Sequence, residues 1–428
     1  MCRTCSPTTT CRTRSWRSSG DTLSGIQLRL LHAGDDIEAE LDLRRRAFGP
    51  VSDENRAAWG KSVRASIDEG ATLGAFDGGR LIGSARYHVM QQWWHGRSMP
   101  MAGVAGVKVA PEERGRGVGT AMMARLLTDI ADRDYPVSVL YPATASLYRG
   151  FGWEIAGGRY ECVLPARSLA TLIQPDLAAT TAEPGGGARL RRATPDDGPA
   201  VVAVEGLVHA ALRHCGPNTR DPRELRDWLA DDDQFVYLAD DGLLSYRWAR
   251  GTDELAVEEL LAASAATARA FWQILASHAT LADRVRACLP PDDAVQWLTR
   301  EPDARSCRSA AWMLRIVDAP AAIAGRGFPA AVTLSVLVEI ADPVRPANSG
   351  RWRLEVADGR GSLQHAGAEA AAGTATEPIR LGARGLAALF GGAGTGPLRL
   401  AGLLTGGDHA TDDALDAAFR PAFLLDSW

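Results

Sequence analysis

The segment Val107-Lys108-Val109-Ala110-Pro111-Glu112-Glu113-Arg114-Gly115-Arg116-Gly117-Val118-Gly119-Thr120 constrains this chain more than any other. Val104 to Val109 alternates apolar and small residues as a strand does, and Pro111 stops it. From Thr120 the residues Ala121, Met122, Met123, Leu126, Leu127, Ile130 and Ala131 recur at helical spacing. Gly115, Gly117 and Gly119 therefore fall at a helix N-terminus. Glycine there lets the backbone approach an anion, the first-turn N–H groups are free to donate, and the helix dipole favours negative charge. The pattern predicts an α/β fold with a phosphate-bearing ligand seated on the turn.

Two phosphate turns are set aside by their own requirements. The P-loop ends in Gly-Lys-Ser/Thr, which is missing here. The dinucleotide fingerprint is G-x-G-x-x-G, whereas Gly115, Gly117 and Gly119 give G-x-G-x-G, with no acidic residue at the expected distance. What remains is R-x-x-G-x-G, met by Arg114, Gly117 and Gly119 after a V-x-V strand and a proline. This resembles the pyrophosphate turn of the GNAT superfamily of acetyl-CoA-dependent N-acyltransferases.

With 428 residues, 46% of them hydrophobic, the chain is long enough for two or three packed domains. Its net charge of −5 and the lack of a dense Lys/Arg stripe argue against nucleic acid, and a mildly acidic protein suits a cationic substrate. No apolar run reaches membrane-spanning length. Residues 1–24 are rich in Ser, Thr and Arg and read as a disordered tail without the apolar core of a signal peptide. Cys2 and Cys5 supply two of the roughly four ligands a metal site wants, so no metal is expected. Cys162, Cys215, Cys288 and Cys307 are dispersed singly, which suits a reducing cytosol and a cytoplasmic protein.

The chain then repeats itself. Ile26–Leu30 reads as a strand, Asp35-Asp36 as a turn, and Ile37, Leu41, Leu43 and Phe48 as a helix face. Arg189–Arg192, Thr194–Asp197 and a helix through Val201, Val204, Leu207, Val208 and Leu212 do the same. Ala75–Gly83 and Phe235–Leu244 both read as hairpins with Asp-Gly turns. The second copy continues through Glu254–Val257 into a helix around Ala268, Phe271, Trp272 and Leu275. Its turn, Ala262-Ala263-Ser264-Ala265-Ala266, lacks the glycines for close phosphate approach, so it reads as a related domain without a cofactor site. Residues 174–188, with Pro175, Pro184 and three consecutive glycines, suit a linker. Beyond Pro320, strands at Val332–Val338 and Gly350–Val356 and helices at Gly385–Phe390 and Asp412–Phe419 resemble the sterol-carrier-protein-like domain.

A catalytic GNAT domain (25–165), a degenerate one (166–317) and a sterol-carrier-like α+β domain (318–428) together resemble the enhanced-intracellular-survival (Eis) acetyltransferases. The fold expected is α/β (α+β), with tandem GNAT domains of mixed sheets flanked by helices. The likeness implies acetyl-CoA as cosubstrate, pantetheine along Val107, Lys108 and Val109, and pyrophosphate on Arg114, Gly115, Arg116, Gly117, Val118, Gly119 and Thr120. It also implies contacts at Ala143 and Thr144, with Ala143 standing where the family often has serine.

Acyl transfer to an amine needs an acceptor for the amine's proton, an oxyanion donor and a proton for the departing thiolate. Leu147-Tyr148-Arg149-Gly150-Phe151-Gly152-Trp153 resembles the family segment whose tyrosine is the general acid, which implies Tyr148. A half-buried structural tyrosine is the competing reading. For the base, His88 and His95 flank the preceding hairpin, and Glu112 and Glu113 are expected to face solvent at the helix start. The resemblance implies the terminal carboxylate, here Trp428, at the end of the apolar segment Pro421–Trp428. A docked tail without a chemical role stands beside it. Trp93 and Trp94 either wall the acceptor pocket or pack at a hairpin tip.

The function expected is acetyl transfer to primary amines in a ternary complex. Aminoglycosides or protein lysines are the implied acceptors, and a homohexamer the implied assembly. A binding protein with a vestigial GNAT part is the rival class. Neither a nucleic-acid nor a membrane partner is expected.

Overall fold

The computed structural model describes residues 25–172, 188–220, 222–300, 306–367 and 377–425. The expected N-terminal tail, nearly all of the expected linker, and Trp428 lie outside these residues. Among the described residues, the strands form a 14-stranded and a 5-stranded sheet. No described helix is long and apolar enough to cross a membrane.

In the first unit, Ile26–Leu30, Thr72–Asp77, Arg80–Trp94 and Arg97–Val109 are successive antiparallel neighbours. Val137–Leu140 runs parallel to the last of them. The hairpin after Asp77 turns on Gly78 and Gly79, both left-handed (φ 55° and 87°), as a two-residue turn matched to the strand twist requires. Helix Ile37–Phe48 starts at Asp36, whose carboxylate accepts the Glu38 N–H, and stops at Gly49 (φ 92°). Helix Val118–Asp132 buries Val118, Met122, Met123, Leu126, Leu127 and Ile130. At about 1.5–3 kcal/mol per buried aliphatic side chain, that face is what holds the helix to the sheet.

The second unit repeats this plan. Phe235–Ala239, Gly242–Trp248 and Glu254–Ala262 are antiparallel neighbours, and Arg284–Cys288 is parallel to the last. Its first strand is only Arg191–Arg192, shorter than the sequence pattern indicates. The two units exchange their closing strands. Ser306–Ile316, which follows the second unit, pairs with Val137–Leu140, while Glu154–Pro165 of the first pairs with Arg284–Cys288. These two strands also pair with each other, fusing both units into a single sheet.

That pairing corrects the reading of isolated cysteines. Cys162 and Cys307 are directly opposed in the ladder and form a disulfide across 145 residues of sequence. Sequence spacing cannot reveal a partner brought in by strand exchange. Cys215 and Cys288 are buried.

The third unit is the 5-stranded sheet, with strands Arg360–His365, Gly350–Ala357, Leu334–Ala341, Ile379–Gly382 and Leu404–Thr405 in that spatial order. Helices Ala319–Gly325, Ala383–Phe390, Thr395–Leu400 and His409–Ala418 complete it. One hydrophobic cluster spans it and the large sheet, joining Trp94, Met99 and Trp312 to Leu386, Phe390 and Phe419. Trp94 is fully buried there, so it is a core residue and not a pocket wall. Within the junction Arg315 and Asp342 form a wholly buried ion pair at 2.6 Å, and Asn348 Nδ2 donates to Asp342 at 3.0 Å. Finally Ala422–Leu424 leaves the third unit and pairs in parallel with Gly157–Arg159. A Cβ at Gly157 would collide with the Ala422 carbonyl, so the close approach needs glycine.

Candidate active site

The site begins where two parallel strands part. Arg97–Val109 pairs with Val137–Leu140 only from Met101 to Val104. Ala105 to Val109 therefore turns an open ladder edge toward the gap, the geometry by which an extended amide-bearing ligand adds as a strand. On its other side the same strand carries a bulge opposite Ser84–Arg86, with Gly106 left-handed at φ 60°. Val107 and Val109 pack on the first unit's core, while Lys108 points the other way.

Lys108 is buried with its Nζ 2.6 Å from Glu40 and 3.2 Å from the Gly106 carbonyl. Burial pushes the ammonium below its ordinary range, while Glu40 pulls it back up. Ser84 Oγ donates to both Glu40 oxygens at 2.9 and 3.0 Å. The Lys108 side chain is thus committed to a brace across the bulge, and what the strand offers a cofactor at this position is backbone. Glu40 escaped sequence reading; a glutamate on the otherwise apolar face of Ile37–Phe48, beside Leu41 and Leu43, was the signal.

After Val109 comes the short 3-10 turn Pro111–Glu113, then extended Arg114, then Gly115 and Gly117, both left-handed at φ 82°. Gly117 opens the helix Val118–Asp132 without a side-chain cap. The first helical bond runs from Ala121 N–H to the Gly117 carbonyl. The N–H groups of Val118, Gly119 and Thr120 accordingly have no internal acceptor among the described residues, an arrangement that favours an anion. A Cβ on Gly119 would meet only Val109 Cγ2, at 3.7 Å, so its smallness leaves room for a ligand and not for a neighbouring side chain.

Arg114 is exposed and has no ion-pair partner among the described residues. Arg116 is tethered to Glu113 and to Asp77 at 3.0 Å. Glu113 corrects the expectation of a solvent-facing residue: it is buried between Arg116 and Arg80, whose hydrogen bonds hold its carboxyl below the usual range. Glu112 is half-exposed and pairs with Arg46 at 2.7 Å. Neither glutamate is free to take a proton; both shape the turn.

Across the gap, Val137–Leu140 leads past exposed Ala143 and Thr144 into the helix Ala145–Arg149. Thr144 Oγ1 lies 3.3 Å from Ser146 Oγ. Tyr148 is buried in the same cluster that Val107 and Val109 pack on, edge-to-face with Trp153 at 6.5 Å between ring centres. Burial pushes its phenol up, which keeps the proton on oxygen at neutral pH. Among the described residues its hydroxyl has no hydrogen-bond partner.

The third unit braces this segment. Glu154 is buried and takes Arg149 at 2.8 Å and, from the third unit, Arg384 Nε at 2.6 Å. Burial raises its carboxyl, but Arg149, the Ile155 N–H and Arg384 outweigh that and hold it below its ordinary value. Gly152 is left-handed (φ 88°), and a Cβ there would sit 2.8 Å from the Ala383 Cβ.

Other expected site residues lie elsewhere. His95 is at the hairpin tip, a dozen residues back from Val107, buried beside Arg326. Burial first, then Arg326, Arg213 and Arg420, push its imidazole down to about 4. Trp93 is half-buried and donates its Nε1 to Thr219 Oγ1 at 2.8 Å. Trp428 is outside the described residues.

The chain matches the acetyltransferase (GNAT) domain over residues 28–156 and again over 216–316, and the sterol carrier protein domain over 319–423. It is 30% identical over 336 residues to the N-acetyltransferase Eis of Mycobacterium tuberculosis, covering 72% of this chain and 77% of that one. A crystal structure of a GCN5-related N-acetyltransferase from Kribbella flavida superposes with a TM-score of 0.84 at 38% identity, covering 94% of this chain and 98% of that one. Eis1 from Mycobacterium abscessus superposes with a TM-score of 0.73 at 25% identity, over 94% and 100% of the two chains.

Proposed function

Since this chain belongs to the Eis-like family of GNAT N-acetyltransferases, we propose that it moves the acetyl group of acetyl-CoA to a primary amine by direct attack in a ternary complex. One observation carries the reading: the open strand edge Ala105–Val109 adjoins the N–H groups of Val118, Gly119 and Thr120, which have no partner among the described residues. An amide chain and a pyrophosphate, at the spacing found in CoA, would meet both. Arg114 and Gly115 line the phosphates, and Ala143 and Thr144 flank the thioester end.

The amine nitrogen attacks the thioester carbonyl, whose oxygen takes the backbone N–H donors at the bulge as charge develops. The C–S bond then breaks. Tyr148, held protonated by its burial, passes its proton to the leaving thiolate. The amine's proton is assigned to the Trp428 carboxylate, and the docking of Ala422–Leu424 beside Gly157–Arg159 supports that route for the tail. In this reading residues 25–165 perform the transfer, 166–317 are the unit without a cofactor turn, and 318–428 brace the Tyr148 segment through Arg384. Aminoglycosides are the acceptors proposed, and a homohexamer the assembly.

Release of CoA thiol, followed with an aminoglycoside, a polyamine and a lysine peptide, tests this. Turnover of the aminoglycoside supports it, turnover of the peptide alone makes the protein a lysine acetyltransferase, and turnover of none refutes it. Residues added beyond Trp428 should abolish transfer; undiminished rates would remove that carboxylate from the mechanism.

A further inference from the structure

We infer that the second unit holds a ligand of its own, an extended apolar chain with a carboxylate head, in the cavity where its two parallel strands part. This goes beyond the acetyl transfer proposed above and does not depend on it. Strand Glu254–Ala262 pairs with Arg284–Cys288 only from Glu254 to Val257, so residues 258–262 diverge from their neighbour as Ala105–Val109 do in the first unit. In the first unit a glycine turn, Arg114–Gly117, lies between the splayed strand and its helix. In the second, Ala262 passes through Ala263 and Ser264 directly into the helix Ala265–Ala276, and the space beyond the splay is open.

The result is a cavity of about 760 Å³, within the roughly 300–1,000 Å³ of small-molecule sites. Its walls include Leu260, Ala268, Trp272, Leu212 and Phe423, an apolar lining that excludes a strongly polar body. Ser264 spends its hydroxyl on capping the helix, where it accepts the Thr267 N–H. Without a glycine turn there is no cradle for a pyrophosphate, so CoA is not the ligand that fits.

Charge at the mouth selects the head group. Arg213 and Arg420 both line the cavity and are exposed, and neither has an ion-pair partner among the described residues. Arg213 also holds a left-handed backbone (φ 52°), unusual for a side-chain-bearing residue and a feature that clusters at ligand sites. Asp292 and Asp293 line the opposite wall, where Asp293 accepts the Val295 N–H at 2.8 Å and Asp292 faces His214, whose imidazole burial pushes down to about 4. Arg213 and Arg420 are thus the two guanidinium groups at the opening that no carboxylate among the described residues pairs with, and an anionic head group would meet them. A carboxylate at this mouth has guanidinium donors to meet while its chain occupies the slot.

Isothermal titration of the full chain with laurate, dodecylamine and CoA tests the inference. Laurate should bind one per chain, at least tenfold more tightly than dodecylamine, with CoA unable to displace it. Arg213→Ala/Arg420→Ala, at two exposed positions, should cut laurate affinity at least tenfold. Ala268→Trp, which fills the slot, should abolish binding with acetyl transfer unchanged. Equal binding of acid and amine, laurate affinity unmoved in the double arginine variant, or no laurate binding at all would overturn it. Laurate retained by a folded Ala268→Trp variant would place the ligand elsewhere and equally overturn it.

Discussion

Glu40 and Lys108 meet where almost no water reaches, and a buried pair of this kind is asymmetric in its energetics. Removing one partner strands the other charge, whereas replacing both with apolar groups of similar size does not. Glu40→Ala should therefore cost about 3–5 kcal/mol in urea unfolding, while Glu40→Leu/Lys108→Met should recover most of that loss. The double variant should still transfer acetyl more slowly than wild type, because the bulge at Gly106 loses the hydrogen bonds that hold it. Equal stability of single and double variants would show that the pair is not buried as described. Glu113 is the misread carboxylate: at sequence level a glutamate beside a phosphate turn looks solvent-facing, and the approach of Arg80 from the preceding hairpin covers it.

The elements themselves were largely legible in the sequence, because each carries its own punctuation. Asp77-Gly78-Gly79 announces a hairpin, Pro111 and the glycines announce a strand end and helix start, and Val118–Asp132 keeps one apolar face throughout. What sequence could not reveal was which strands are neighbours. Glu154–Pro165 alternates as a half-buried strand does and Ser306–Ile316 passes from an exposed half to a buried one, but nothing local says that they trade places between units. The Cys162–Cys307 bond is the chemical record of that exchange, closing a loop of 145 residues. Long loops gain most from closure, so Cys307→Ser should lower stability by about 2–4 kcal/mol under oxidising conditions and change nothing in excess dithiothreitol. A variant as stable as wild type without reductant would mean that the bond does not form.

At the scale of the whole molecule, the third unit packs into the first as one body of core. Arg384 reaches Glu154 behind Tyr148, and Arg326 is fully buried among Trp94, Phe328, Phe390 and Phe419 where the units meet. His95 sits in the same junction, and its imidazole titrates at about 4 in the folded chain against about 6.5 when unfolded. The unfolded chain binds that proton first, so His95 contributes stability above pH 6.5 that is lost as pH falls toward 4. The full effect is on the order of 3 kcal/mol. The urea midpoint should fall between pH 7 and 4.5, and His95→Gln should flatten that slope; an unchanged slope would contradict the burial of the ring. None of this junction could be read from sequence, since its parts lie more than two hundred residues apart.

In the proposed mechanism Tyr148 hands its proton to the departing thiolate beside the glycine turn. Steady-state CoA release by Tyr148→Phe against wild type, at saturating amine and over a range of acetyl-CoA, tests this most directly. The prediction is a kcat lower by about 10²–10⁴ with the KM for acetyl-CoA within a few-fold of wild type. An unchanged kcat would contradict it.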